Sequence, residues 1–225
     1  MAKKEGLMVV SGGVDSVTLM HEYKDEIAMA ISFDYGSNHA PKELECAKYQ
    51  CELLGIPHRI VKLDFVKGLF KSSLLEGPEA IPEGHYAADN MKSTVVPFRN
   101  GIMLSIAAGI AESQGLKRIY IANHFGDHDV YPDCREDFVT PMKAAISNGT
   151  YVHVELCAPY TNITKADIMA RGVKLGVDYT KTWSCYKGGD KPCGKCGTCV
   201  EKIEAARANG IKLPEDEGQE LPHNA

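Results

Sequence analysis

The densest chemistry in this 225-residue chain lies in Ser11-Gly12-Gly13-Val14-Asp15-Ser16. The stretch follows the apolar run Leu7 to Val10 and precedes a helical pattern, so its two glycines let the backbone turn tightly and gather amide N–H groups where a helix begins. Those amides and the positive end of the helix dipole favour an anion, and Ser11 and Ser16 add hydroxyl donors. Asp15 would repel a phosphate unless a divalent cation such as Mg²⁺ lies between them, so the pattern points to a metal–nucleotide complex. The same residues also suit a plain strand-to-helix turn capped by Ser and Asp. No GxxxxGK[ST] run occurs, and γ-phosphate transfer of the P-loop kind is not indicated.

A second constellation is Cys185-x₇-Cys193-x₂-Cys196-x₂-Cys199. Four thiolates in so short a span suit tetrahedral Zn²⁺, and with no open coordination position such a site is structural. An iron–sulfur cluster is the rival, and Lys187, Lys191 and Lys195 offset the negative charge of either. Zinc is preferred because the phosphate chemistry needs no electron transfer.

Three further places carry reactive groups. Arg99 and Asn100 stand at a helix start, where a cation has no dipole reason to be; they face a carboxylate or phosphate, or form a structural ion pair. The run 123–135 crowds His124, Asp127, His128, Asp129, Tyr131, Asp133, Cys134 and Arg135 after an apolar segment. Loops at strand ends carry sites, and here Asp127 and Asp133 can accept hydrogen bonds from a polar heterocycle while Arg135 anchors an acid. Thr164-Lys165-Ala166-Asp167 fits a capping box, with Lys165 in the first turn facing either an anion such as a bound polyphosphate or solvent.

The elements that must position these groups alternate. Apolar runs at 7–10, 28–33, 60–63, 119–122 and 152–158 read as strands, and the periodic stretches 16–24, 41–54, 102–113 and 135–147 as helices. Strands separated by helix-length segments predict a parallel sheet whose ligands sit beyond the strand C-termini. Residues 76–94 lack periodicity and read as a long loop, either a lid in which His85 and Tyr86 cover a substrate or a disordered segment. The tail after Ile211 is acidic and reads as loose.

Composition frames these motifs. An apolar fraction of 44%, a charged fraction of 24% and a formal charge of −5 describe an ordinary globular α/β protein and argue against a broad nucleic-acid or membrane surface. No signal peptide or membrane span is evident, which makes the cytoplasm the expected address. The other four cysteines, Cys46, Cys51, Cys134 and Cys157, are scattered, as in a reduced protein. Expected boundaries are 1–180 for the α/β domain, 181–210 for the four-cysteine segment and 211–225 for a flexible tail.

Ser11 to Ser16 matches the SGGxDS signature of the ATP-pyrophosphatase loop. Together with Val96-Pro97-Phe98-Arg99-Asn100, Tyr131-Pro132-Asp133-Cys134-Arg135 and the cysteine cluster, in that order, it resembles the QueC family of 7-cyano-7-deazaguanine (preQ0) synthases over almost the whole chain. Val130 stands where many members have glycine, and His124 to Asp129 departs from the familiar acidic turn. The resemblance implies an adenine nucleotide α-hydrolase-like (Rossmann-like) fold, a homodimer, and ATP, Mg²⁺ and Zn²⁺ as cofactors. It implies 7-carboxy-7-deazaguanine and ammonia as substrates, in a protein with no direct nucleic-acid or membrane partner. It places ATP on Val10, Ser11, Gly12, Gly13, Val14, Asp15, Ser16, Val17, Thr18, Leu19 and Met20, and the base on Arg99, Asn100, Asp127, Tyr131, Asp133 and Arg135. Asp15, Lys165 and Arg99 become the catalytic set. Other readings share motifs with it: a sulfur-transferring or amidating relative, which needs a catalytic cysteine such as Cys134 or an attached glutaminase, a relative serving deazaguanine modification of DNA or protein, and a zinc-dependent nucleic-acid reader.

Overall fold

Alternation along strand β1 (Gly6–Val9) sets up the two layers of the protein. Leu7 joins one apolar cluster with Ile31, Phe33, Ile119 and Leu156, while Met8 joins a second with Val10, Ala30 and Tyr120. Successive side chains of a strand point to opposite faces, so β1 is covered on both sides, and that is why it reads as a continuous apolar run. The computed structural model describes residues 3–86 and 88–218.

Four further strands, β2 (Ile27–Asp34), β3 (His58–Lys62), β4 (Arg118–Tyr120) and β5 (Glu155–Cys157), pair in parallel in the order β3-β2-β1-β4-β5. Helices α1 (Val14–Glu22), α2 (Ala40–Leu54) and α6 (Lys165–Leu175) cover the Met8 face through Leu19, Met20, Ala47, Cys51 and Ile168. Helices α4 (Arg99–Ser113) and α5 (Glu136–Gly149) cover the Leu7 face through Met103, Leu104, Ala107 and Ile146. The chain runs outward to β3 and then restarts on the other side of β1. This leaves a topological switch between β1 and β4, the place where an open parallel sheet binds ligands. The result is the Rossmann-like α/β architecture expected of the sequence.

Several boundaries moved, each for a physical reason. Helix α4 starts at Arg99 rather than Ile102, because Phe98 turns the chain at φ 52° and the Asp133 carboxylate accepts the Asn100 N–H at 2.8 Å in place of a local cap. Strand β5 is confined to three residues, with His153 at φ 52° outside it. The stretch 89–113 is apolar enough by composition to cross a membrane, but it is a short 3₁₀ turn (Asp89–Thr94), a break and then α4. Fifteen helical residues span only about 22 Å, and α4 packs Ala107, Ala108 and Ala111 into the core.

The segment 76–94, apart from Ala87, which lies outside the described residues, is a strap packed over the cysteine region. Tyr86 and Met91 are buried, Gly84 N–H donates to the Lys195 carbonyl, and Glu83 bridges Cys196. A short helix α3 (Asp64–Leu69), unforeseen in the sequence, precedes it. Residues 181–210 are no body apart either: Trp183, Cys185, Tyr186, Cys196 and Cys199 sit in the same cluster as Leu7 and Ile119, and helix α7 (Gly197–Ala208) runs on from the last cysteines.

The loose tail expected from Ile211 does not begin there. Leu213 is buried against Val14, Val17 and Met169, Arg207 pairs with Asp216, and the buried Lys202 ammonium meets Glu215 at 2.8 Å. The tail beyond Gly218 lies outside the described residues. Lys202 also donates to the carbonyls of Tyr179 and Thr182. Glu215→Gln therefore leaves a buried cation with only neutral acceptors, and we expect a loss of about 3 kcal/mol in urea unfolding. A change below about 0.5 kcal/mol would place Glu215 in solvent.

Candidate functional site

The phosphate turn is built as its residue types require. Gly12, at φ 95°, passes so close to α2 that a Cβ would lie 2.2 Å from the Glu43 carbonyl oxygen. Gly13 is the N-cap of α1, its N–H donates to Ser11 Oγ at 3.1 Å, and the Ser11 and Ser16 hydroxyls meet at 3.0 Å. The first amides of α1 have no helical partners and face the opening. Val10, Ser11, Gly13, Val14, Asp15 and Ser16 line a cleft of about 230 Å³ at the switch point. Val17, Thr18, Leu19 and Met20 do not; all four are wholly buried, and Thr18 bonds Val14 and Tyr179. Their side chains support α1 from within the core.

Below the turn lies a buried charge cluster drawn from four elements. Lys165 is the first residue of α6, placed by the Thr164–Asp167 capping box that the sequence announced. Its ammonium, 8% exposed, lies 3.2 Å from Asp15 and 2.7 Å from Glu201 of α7. Burial alone would lower its pKa, but Asp15, Glu201 and Asp127 together hold it well above the usual lysine range. It is thus a fixed cation at any physiological pH. His124, also buried, accepts Gly126 N–H on Nδ1, which leaves Nε2 to face Asp127 at 3.5 Å, Asp15 at 3.7 Å and Glu201 at 3.8 Å. Asp127 also accepts the Tyr86 hydroxyl and the His124 N–H; burial would raise its pKa, but His124 and Lys165 hold it below the carboxylate range. Asp15 Oδ1 is buried and has no hydrogen-bond partner among the described residues. An orphaned carboxylate oxygen beside a phosphate turn fits a hard divalent cation.

The far end of the cleft is aromatic. Arg99 donates to the Tyr35 hydroxyl at 3.0 Å and lies over the Tyr35 and Tyr131 rings at 5.6 and 5.9 Å. Burial opposes its charge, yet the surrounding Tyr35, Tyr186, Tyr131 and Asp133 keep its pKa well above the usual value. Tyr131 shares its hydroxyl with Thr94 and Tyr186. The guanidinium is thus partly buried among phenols and ring faces, with no carboxylate at ion-pair distance among the described residues.

Of the substrate residues expected from the sequence, Arg99, Asn100, Asp127 and Tyr131 line the cleft, whereas Asp133 and Arg135 are not among its lining residues. Asp133 caps α4, and Asn100 returns hydrogen bonds to the Asp133 carbonyl and Cys134 Sγ, so the Arg99-Asn100 and Asp133-Cys134 pairs lock one another. Arg135 is exposed and donates to the His128 carbonyl. Their spacing after β4 suggested a ligand; which way each points is a matter of tertiary packing. Cys134 lines the cleft, but burial pushes its thiol well above the ordinary value, so it is no thiolate nucleophile.

Sequence reasoning missed His39, Glu43, Trp183, Tyr186 and Glu201. Only the first two left a signal, a His and a Glu four apart in the first turn of a helix that follows a strand end.

The Cys185, Cys193, Cys196 and Cys199 sulfurs all lie within 4.8 Å of one another, with Cys193 and Cys199 at 4.0 Å. A tetrahedral ion with bonds of about 2.3 Å to sulfur sets them about 3.8 Å apart, so the cluster can hold a metal. Backbone N–H groups of Lys195 and Cys196 donate to Cys193 Sγ, as they would to a thiolate. Hydrogen bonding from Cys185 above all pushes Cys193 down, and Cys196 to about 7. The cluster underpins the cleft wall, because the same segment supplies Trp183, Ser184, Tyr186 and Thr198.

The family described as queuosine biosynthesis protein QueC matches residues 5–210 of this chain. A 7-cyano-7-deazaguanine synthase from Porphyromonas gingivalis is 59% identical over 212 residues, covering 94% of this chain and 96% of that protein. One from Caldicellulosiruptor bescii is 50% identical over 210 residues, 92% of this chain and 95% of that one. Another, from Psychromonas ingrahamii, is 44% identical over 214 residues, with 94% and 96% coverage.

The Asp133 cap gives a test that needs no ligand. Asp133→Ala strips an N-terminal cap from α4 and leaves a buried N–H, at a cost of about 1–3 kcal/mol. Urea unfolding should show that loss, whereas Arg135→Ala should stay within about 0.5 kcal/mol.

Proposed function

The chain belongs to the QueC family of queuosine biosynthesis proteins, and from that membership and the cleft we propose that it is an ATP-dependent carbon–nitrogen ligase that makes 7-cyano-7-deazaguanine. The observation that carries this reading is one cleft in which the phosphate turn, the buried Lys165 cation and the unpaired Arg99 guanidinium face a common volume.

The substrate carboxylate of 7-carboxy-7-deazaguanine attacks the α-phosphorus of ATP and pyrophosphate leaves. Ammonia adds to the acyl carbon and AMP leaves, giving the amide. The amide oxygen then attacks a second ATP in the same way. Loss of AMP and of the nitrogen-bound protons leaves the nitrile. In each activation, negative charge collects on the departing pyrophosphate. The free amides of α1, the Ser16 hydroxyl and Lys165 are placed to take it, preorganised in a low-dielectric site. Lys165 can turn to phosphate because Glu201 and Asp15 hold it without neutralising it by proton transfer. Mg²⁺, held by the free Oδ1 of Asp15, would supply the charge that lets a carboxylate sit beside a polyphosphate. Arg99 orients the substrate carboxylate, and the Tyr86, Tyr131 and Trp183 walls exclude water from the acyl adenylate.

Zn²⁺ on the four cysteines is structural in this proposal, and a homodimer in the cytoplasm is the working form. A sulfur-transfer reading is disfavoured by the protonated, buried Cys134 thiol. A nucleic-acid reader is disfavoured because Cys185, Cys196 and Cys199 lie beneath the cleft rather than at the surface.

Mass spectrometry of a mixture of protein, ATP, Mg²⁺, ammonium and 7-carboxy-7-deazaguanine should detect nitrile, AMP and pyrophosphate. Asp15→Ala should cut AMP release by about a thousandfold with the fold intact, on the scale of one preorganised electrostatic group. Full turnover by that variant would remove the phosphate assignment. For the cluster, Cys196→Ser should lose zinc by elemental analysis and lower Tm together. A stable, zinc-free, fully active variant would refute the structural site.

A further inference from the structure

Three carboxylates line the cleft among the described residues: Asp15, Asp127 and Glu43. Two of them are committed. Asp15 faces Lys165, and Asp127 takes the Tyr86 hydroxyl and the His124 amide. Glu43 has no cation. Its nearest charged-type neighbour is the His39 ring, with Nε2 3.6 Å from Glu43 Oε2 across one turn of α2. That ring is neutral: burial first, then Arg99, depresses its pKa to about 3. Burial likewise raises Glu43 to about 8, against the pull of Arg99, and N–H donors brought by a ligand would favour its charged form again. The guanidinium is thus close enough to be felt, yet it forms no ion pair with Glu43 and gives one of its five N–H donors to Tyr35. His39 is itself 2% exposed, and its Nδ1 has no partner among the described residues. A cleft wall that holds a carboxyl with no lysine or arginine in ion-pair reach among the described residues, beside an imidazole whose Nε2 meets Ser37 Oγ at 3.5 Å, can offer its acceptor oxygens to a ligand's donors.

We propose that Glu43 reads the guanine-type edge of the base substrate, accepting its ring N1–H and its exocyclic 2-amino group, with His39 as the residue that positions the Glu43 carboxyl. This deepens the ligase reading above and rests on it. The chemistry follows from donor counting. A 2-amino-6-oxo base presents two parallel N–H donors that match a carboxylate bidentately, whereas adenine presents a ring acceptor at that edge. The sequence assigned this task to Asp133, which the fold has used to cap α4. Glu43 takes its place from the other side of the switch point, while Arg99 meets the acid carried on the opposite ring of the base. Tyr35, Tyr131 and Tyr186 supply flat apolar faces between them. One cleft then tells two nucleobases apart, because adenine offers Glu43 an acceptor at N1 where the 2-amino-6-oxo base offers a donor.

The test compares 7-carboxy-7-deazaguanine with its analogue lacking the 2-amino group. Wild-type protein should prefer the 2-amino substrate in kcat/KM by about 10–100-fold, the value of one hydrogen bond to a charged group. In Glu43→Gln that preference should fall to within about threefold, with KM for the 2-amino base rising about tenfold or more and KM for ATP unchanged. Glu43→Asp keeps the charge and should retain the preference at reduced affinity. It carries the test alone if the Gln variant melts early. Equal losses for both bases or an unmoved preference in Glu43→Gln, or an unchanged KM for the 2-amino base in Glu43→Asp, would overturn the assignment while the ligase reading stands. Failure of wild-type protein to turn over the 2-amino acid at all would overturn both, and is distinguished by needing no variant.

Discussion

A lysine ammonium taken out of water and surrounded by carboxylates is the constraint on which this structure turns. Lys165 comes from α6, Asp15 from α1, Asp127 from the loop after β4 and Glu201 from α7. A buried charge is tolerated only where opposite charges meet it in good geometry, so the four elements cannot drift apart without exposing an uncompensated ion. The cluster thereby fixes the width of the crevice between β1 and β4. It also explains how a fixed positive charge stands beside a phosphate turn whose own Asp15 is negative: the cation is retained by more carboxylate than it can neutralise.

The remainder of the fold braces that crevice from two sides. On one side, Asp133 caps α4 and Asn100 answers with bonds to Asp133 and Cys134, so Arg99 is delivered to the cleft at the end of a rigid helix. On the other, the four-cysteine cluster draws 185–199 into a knot whose flanks carry Trp183 and Tyr186, with Trp183 N–H on the Gly12 carbonyl. The four-cysteine segment and the glycine turn are therefore mechanically joined. Placing a cleft on braced elements holds its side chains in fixed mutual geometry.

Aromatic and titratable groups divide the cleft into two ends. The phosphate end is charged, with donors and a fixed cation. The base end holds phenols, a guanidinium and the His39–Glu43 pair, with Nε2 3.6 Å from Oε2. This asymmetry suits a ligand pair that is polyanionic at one end and a polar heterocycle at the other, and it arises from burial as much as from residue type.

The sequence by itself determined what is encoded within a few residues: the glycine turn after β1, the Thr164–Asp167 box that places Lys165, the parallel α/β pattern and the spacing of four cysteines. These are legible because their physics is local, resting on backbone freedom, capping and ligand spacing. Tertiary structure alone decided which polar residues face the cleft. Asp133 and Arg135, apt by type, were turned to a helix cap and to a carbonyl. Glu201 and Tyr86 were brought in from a helix and a strap far along the chain. Glu43 meets no lysine or arginine at ion-pair distance among the described residues. Whether a charged side chain serves the fold or a ligand depends on the partners that distant elements supply, and the energy of a buried charge resides in those partners rather than in its neighbours along the chain.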